Sequence, residues 1–270
     1  MSSINSNTSL SLEKLPPLLR KDKSGIAYLT LNRPKTHNSL SKGLLERMQS
    51  ELDKIEKDSS VRAVIIDAVG KSFCAGHDLK ELRDSNKSEV KQLFKDCSRV
   101  MTTIMQLPQP VIAKVQGLAT AAGCQLVATC DMAIASENAS FCTPGVNIGL
   151  FCSTPMVALS RNIPRKIAME MLLTGNSINA LKAASWGLVN DVVPDLELEG
   201  AVIEIAENLA SKSQHTITIG KHAFYNQLDM SIESAYEYTS EIMTKNMLSL
   251  DAQEGINAFL GNRNPKWVDN

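Results

Sequence analysis

The chain has 270 residues, enough to bury a sizeable core as one large domain or as a domain with an appendage. A hydrophobic fraction of 43% and a charged fraction of 21% are ordinary for a globular protein, so disorder is expected only at the termini. The formal net charge of −1 gives no long-range pull toward nucleic acid or anionic lipid, and a phosphate-bearing ligand would have to be met by a local basic patch.

Residues 1–22 are polar and rich in Ser and Asn, lack the apolar stretch of a signal peptide, and read as a flexible tail. GIAYLTLNR (25–33) alternates apolar and polar positions, a strand that ends at Pro34. Leu44, Leu45, Met48, Leu52 and Ile55 then recur at helical spacing. VRAVIIDAV (61–69) is a near-continuous apolar run rich in β-branched residues, as in a strand buried on both faces. A second amphipathic helix spans about 89–107, with Val90, Leu93, Phe94, Cys97, Val100, Met101 and Ile104 on one stripe. PVIAKVQG (110–117) is another buried strand, followed by a small-residue turn at 119–123, a helix starting at CQLVATC, and a strand at MAIA (132–135). From about Ile163 the pattern turns helical, with helices expected near 164–173, 178–186, 196–212, 215–227, 231–248 and 251–261. The fold class is therefore α/β: a core over 23–200, then a helical region over 201–270.

No apolar run reaches transmembrane length, and no membrane partner is expected. None of the six cysteines forms a C-x-x-C pair, and the four histidines do not cluster with them, so no metal is expected. The cysteine usage fits a reducing compartment, taken as the cytoplasm with the mitochondrion as the alternative. No Rossmann glycine fingerprint is present, and dinucleotide binding has no support.

Two segments combine small residues with a helix start directly after a buried strand: Ser72-Phe73-Cys74-Ala75-Gly76-His77-Asp78-Leu79-Lys80-Glu81-Leu82, and Gly117-Leu118-Ala119-Thr120-Ala121-Ala122-Gly123-Cys124-Gln125. Small residues let a ligand approach the backbone, and free N–H groups at a helix start suit an oxyanion. Two such donors converging on one carbonyl oxygen would polarise a thioester and stabilise its enolate. Tight strand-to-helix packing explains the same small residues, so the pattern alone leaves both readings open.

With Asn32-Arg33-Pro34-Lys35-Thr36-His37-Asn38-Ser39-Leu40 upstream and Leu173-Thr174-Gly175 and Gly187-Leu188-Val189 downstream, these segments resemble the crotonase (enoyl-CoA hydratase/isomerase) superfamily from about residue 25 to the C-terminus. The resemblance implies a spiral of ββα turns with a C-terminal helical trimerisation region, assembled as trimers or pairs of trimers. It implies an acyl-CoA thioester as substrate or ligand and no permanently bound cofactor. It puts the oxyanion-hole N–H groups on His77 and Ala122. Contacts to CoA and the acyl chain fall on Lys35, Thr36, His37, Ser39, Ala75, Asp78, Leu79 and Lys80. Lys35 and Lys80 are either phosphate ligands or plain solvated lysines. Phe259 and Lys266 would complete a CoA pocket, a neighbour's if not the chain's own.

Family hydratases use two glutamates, one after Gly-Cys and one after Pro about twenty residues on. This chain has Gln125 and Gly145 at those positions. Glutamine exchanges no proton near neutral pH and glycine has no side chain, so weak or altered hydratase/isomerase chemistry is expected. Two alternatives stand beside it: a non-catalytic thioester binder, and a decarboxylase using His77. Some family decarboxylases pair such a histidine with a tyrosine, whose place Cys152 takes here. Cys142 or Cys152 as nucleophile lacks an evident His partner.

Overall fold

A computed structural model describes residues 16–269. A first sheet of six strands runs in the order β1 (Leu18–Lys23), β2 (Ile26–Leu31), β3 (Ala63–Ala68), β5 (Val111–Val115), β7 (Met132–Ser136) and β10 (Asp191–Val193). A second sheet of four runs β4 (Ser72–Cys74), β6 (Leu118–Thr120), β8 (Ser140–Cys142) and β9 (Ile178–Asn179). Strands β3, β5 and β7 of the first sheet are each followed by a short strand of the second. The pairs β3/β4, β5/β6 and β7/β8 stack turn upon turn, with parallel pairing within each sheet. The strands of the first sheet that the sequence made almost wholly apolar lie covered on both faces, as such composition requires.

Helix α1 (Lys42–Ile55) starts at Ser41, whose side chain accepts the Leu44 N–H, and buries Leu44, Leu45, Met48, Leu52 and Ile55. Helix α3 (Lys87–Gln106) begins with a full capping box between Asn86 and Glu89, and buries Leu93, Cys97, Val100, Met101 and Ile104 of the expected stripe. The two helices cover one side of the core. On the other side α8 (Leu198–Ala210) lays Leu198, Val202 and Ala206 on Ile26, Ala63, Ile65, Ile112 and Ile134 of the first sheet.

Three features differ from the sequence expectations. Strand β1 occupies residues assigned to the tail: LLRKDK pairs antiparallel with β2 and buries Leu18, while residues 1–15 of that expected tail lie outside the described residues. The second sheet went unread because three of its strands have three residues and the fourth has two, too few to display a period. The helix expected over 178–186 begins instead with β9, so α7 covers only Ala180–Ser185.

Helices α9 (Gln214–Gln227), α10 (Ile232–Met247) and α11 (Leu250–Leu260) follow α8. Helix α9 is latched to the core by a nearly buried ion pair. Lys221 Nζ lies 2.7 Å from Asp131 Oδ2 and donates to the carbonyls of Ile104 and Gln109. Tyr225 donates its hydroxyl to Asp131 Oδ1, and the Val111 N–H donates to Asp131 Oδ2. No helix among the described residues is long and apolar enough to cross a membrane.

Candidate active site

The two small-residue segments meet at Gly76. Its φ of +82° is open to glycine, and a Cβ built there would lie 2.9 Å from Ala121 Cβ and 3.2 Å from Ala122 N. On either side of His77 the backbone is committed: Leu40 N donates to Gly76 O at 2.7 Å and Asp78 N donates to Leu40 O at 3.2 Å. The His77 N–H lies between these bonds and donates to no carbonyl among the described residues.

Across from it, Ala121 has φ 50° and ψ −117°, a conformation that L-residues rarely adopt. The strained residue is held by its N–H to Cys142 O at 2.9 Å and by its carbonyl, which accepts Gln125 N at 3.0 Å. Helix α4 (Ala122–Thr129) starts there without a side-chain cap, and the Ala122 N–H has no backbone acceptor among the described residues. Gly123 seats the helix on the first loop, since a Cβ on it would lie 2.0 Å from Cys74 O. The N–H groups of His77 and Ala122 thus have no backbone acceptor among the described residues, and that of Ala122 stands at a helix N-terminus.

The His77 ring packs edge-on to Phe94 with centroids 5.0 Å apart, and its buried Nε2 has no hydrogen-bond partner among the described residues. Burial pushes its pKa down to about 4, so the ring is neutral at pH 7. Among the described residues no tyrosine pairs with it.

Gln125 is on the first turn of α4, 4% exposed, and its Oε1 has no partner among the described residues. At Gly145 the missing side chain has been filled by the chain itself. A Cβ there would lie 2.5 Å from Leu150 O and 2.9 Å from Cys152 Sγ. The turn is closed by Leu150 N donating to Gly145 O at 2.9 Å. Cys142 and Cys152 are both free, and burial raises both thiols above their ordinary pKa, so they are protonated at neutral pH.

The upstream segment forms a tight loop joined to the His77 strand end. Ala75 N donates to His37 O at 2.9 Å, and His37 Nδ1 lies 3.0 Å from Ser72 Oγ. Two residues that sequence reasoning passed over hold this loop. Arg33 donates to Ser39 O and pairs with Asp78 at 3.0 Å. Asn38, fully buried at φ 56°, donates to the carbonyls of Val69 and Ser72 and accepts the Arg33 N–H. An Asn next to a Pro-containing turn was the available signal, since Asn tolerates positive φ. Asp78 also caps the short helix α2 (Leu79–Asp84). Lys35, Thr36, Leu79 and Lys80 face solvent at the edges of this loop. Phe259 and Lys266 are not brought to it within the chain. Helix α11 packs on α9 and α10, Phe259 is 81% exposed, and Lys266 lines a shallow hollow with Leu250, Glu254 and Arg263. Among the described residues no group of three or more His, Cys, Asp or Glu side chains forms a metal site.

A family model described as enoyl-CoA hydratase/isomerase matches residues 21–270. Among curated proteins, the mitochondrial enoyl-CoA hydratase domain-containing protein 3 of Homo sapiens is 46% identical over 252 residues, covering 93% of this chain and 83% of its own length. A short-chain-enoyl-CoA hydratase of Clostridium acetobutylicum is 34% identical over 242 residues, covering 88% of this chain and 92% of its own. The crystal structure of the human domain-containing protein 3 superposes with a TM-score of 0.91 at 47% identity, covering 93% of this chain and all of that one. An enoyl-CoA hydratase structure from Mycobacterium smegmatis gives a TM-score of 0.92 at 47% identity, covering 94% and 99%.

Proposed function

The chain belongs to the enoyl-CoA hydratase/isomerase family, and from that premise we propose that it binds acyl- and enoyl-CoA thioesters and stabilises their enolates, with hydration weakened by the loss of both glutamates. The observation that supports this reading is the close approach of Gly76 to Ala121 and Ala122, next to two N–H groups, those of His77 and Ala122, that have no backbone acceptor among the described residues. These donors belong to the backbone, so they survive the side-chain changes at Gln125 and Gly145. His37, Ser39, Ala75 and Asp78 form the tied loop that would receive CoA. Lys35, Thr36, Leu79 and Lys80 border it, where two ammonium groups suit phosphates.

Proton transfer is what the site lacks. General acid–base groups contribute roughly 10²–10⁴-fold each, and Gln125 supplies none. A neutral, unpaired His77 ring supports a backbone role for that residue and offers little to a decarboxylase. The filled space at Gly145 favours a second reading, a binder that holds a thioester without turning it over. The exposed apolar side chains on α9–α11 support a homo-oligomer, a trimer or pair of trimers, with residues 201–270 as its contact region and Phe259 and Lys266 available to a neighbouring copy. The relatives' names include the word mitochondrial. That agrees with the mitochondrial alternative and gives no support to the cytoplasm.

Incubation of the purified protein with enoyl-, malonyl- and methylmalonyl-CoA esters, followed by mass spectrometry of the products, tests the assignment. Binding with slow or no hydration of crotonyl-CoA is expected. Turnover at ordinary hydratase rates would show that the missing carboxylates do not matter. Since Gly145 has no room for a carbon, the restoring variant is Gln125→Glu alone, which is expected to raise hydration.

A further inference from the structure

We infer that Arg33 is a positioning residue for the thioester-binding donor at His77: its guanidinium heads a line of two peptide groups that ends on the His77 N–H. This rests on the thioester-binding reading above. Arg33 Nη1 donates to the Ser39 carbonyl at 2.5 Å, and the same oxygen accepts the Ser41 N–H at 3.1 Å. The other end of the Ser39–Leu40 peptide is the Leu40 N–H, which donates to Gly76 O at 2.7 Å. The other end of the Gly76–His77 peptide is the His77 N–H, which has no backbone acceptor among the described residues. Both peptides are trans, so in each the N–H points opposite to the C=O. The bond from Leu40 to Gly76 O therefore aims the His77 N–H away from the 33–40 loop. Gly76, at φ +82° and free to turn, would not hold that plane by itself.

The line also carries charge. A guanidinium keeps its proton at any ordinary pH, and hydrogen-bonded groups in a chain polarise one another. The cation on Ser39 O makes the Leu40 N–H a stronger donor; that draws on Gly76 O and strengthens the His77 N–H in turn. The peptide behind the Ala122 N–H is different, since its carbonyl, Ala121 O, accepts the neutral Gln125 N–H at 3.0 Å. Arg33 Nη2 also meets Asp78 Oδ2 at 3.0 Å. That carboxylate is shared with the Ser39 hydroxyl at 3.3 Å and with the Lys80 and Glu81 N–H groups at 3.3 and 3.5 Å. An ion pair that merely ties the two loop ends together needs Arg33 and Asp78 equally. A relay needs the cation and can lose its counter-ion, so the two roles separate on substitution.

Difference infrared spectroscopy of bound butyryl-CoA, with and without isotopic labelling of the thioester carbonyl carbon, reads the polarisation directly, and a saturated chain cannot be hydrated. Binding to the wild type is expected to lower the carbonyl stretching frequency. Arg33→Gln, which keeps a neutral donor for Ser39 O, is expected to lose about half of that lowering. Asp78→Asn, which breaks the ion pair and still caps α2, is expected to retain it. S-butyl-CoA, a thioether with no carbonyl, is expected to bind the wild type and Arg33→Gln with the same Kd. An undiminished lowering in Arg33→Gln overturns the inference, and so does an equal loss in both variants. Thioether binding that weakens in step with the lost shift also overturns it, since a loosened loop then explains both. A wild type that binds butyryl-CoA without any carbonyl shift, or does not bind it, defeats the thioester-binding reading and this inference with it. Where Arg33→Gln does not fold, amide NMR of the wild type decides. On binding butyryl-CoA the His77 amide proton is expected to move farther downfield than that of Ala122, and an equal or smaller movement overturns the relay.

Discussion

The His77 imidazole illustrates how one residue divides its labour. Among the described residues its backbone N–H meets no carbonyl beside the Leu40 bridge, and its ring, buried against Phe94, has no partner for Nε2. A ring held neutral in the folded chain must gain a proton on unfolding once the pH drops below the ordinary imidazole range. With the folded pKa lowered from 6.5 to about 4, the unfolded state binds more protons between those values. Stability therefore falls as pH falls through that window, by roughly 2–3 kcal/mol from this group, and the contribution is constant above it. Urea denaturation between pH 7 and pH 4 is expected to show this loss, and His77→Leu to reduce its slope. An unchanged slope in the variant would mean that the ring is not the group responsible.

Helix α9 is the element whose attachment has the clearest physical cause. Lys221 reaches into the core with 7% of its side chain exposed, and the carboxylate of Asp131 takes up both its charge and the Tyr225 hydroxyl. Desolvation lowers the Lys221 pKa while Asp131 opposes that shift, the balance expected of a buried pair. Removing one partner strands the other: Lys221→Met is expected to cost about 3 kcal/mol or more in thermal or chemical unfolding. The double variant with Asp131→Asn is expected to cost less than the two single changes together, because the stranded charge is gone. Additive costs would show that the two side chains do not act as a pair.

At the scale of the whole molecule, apolar exposure is uneven. Phe224, Ile232, Tyr236, Met243, Leu248, Phe259 and Leu260, all on or between α9 and α11, stand largely exposed. Apolar side chains gathered so densely on one terminal region mark an interaction surface more often than a free one. Light scattering is expected to give a mass three or six times the 29.4 kDa of one chain. Ile232→Asp combined with Leu248→Asp is expected to reduce it, by placing charges where a neighbour would bury carbon. A monomeric wild type would remove the support for a neighbour's share in the CoA site.

Periodicity alone was enough for α1, α3, β3 and β5, because long elements with one buried face or two must display it in their residues. Motif order was enough for the family, and with it the absence of glutamates at 125 and 145, since identity at a position is a property of the chain. Strand β1 was hidden by its polar outer residues, and the second sheet by its brevity. The strain at Ala121, the closure of the chain over Gly145 and the orphaned oxygen of Gln125 required the tertiary structure. Ala121 is held by the carbonyl of Cys142 from a later strand, and the turn after Gly145 folds Leu150 and Cys152 back onto it; both are set by how the backbone is packed, which no residue pattern records.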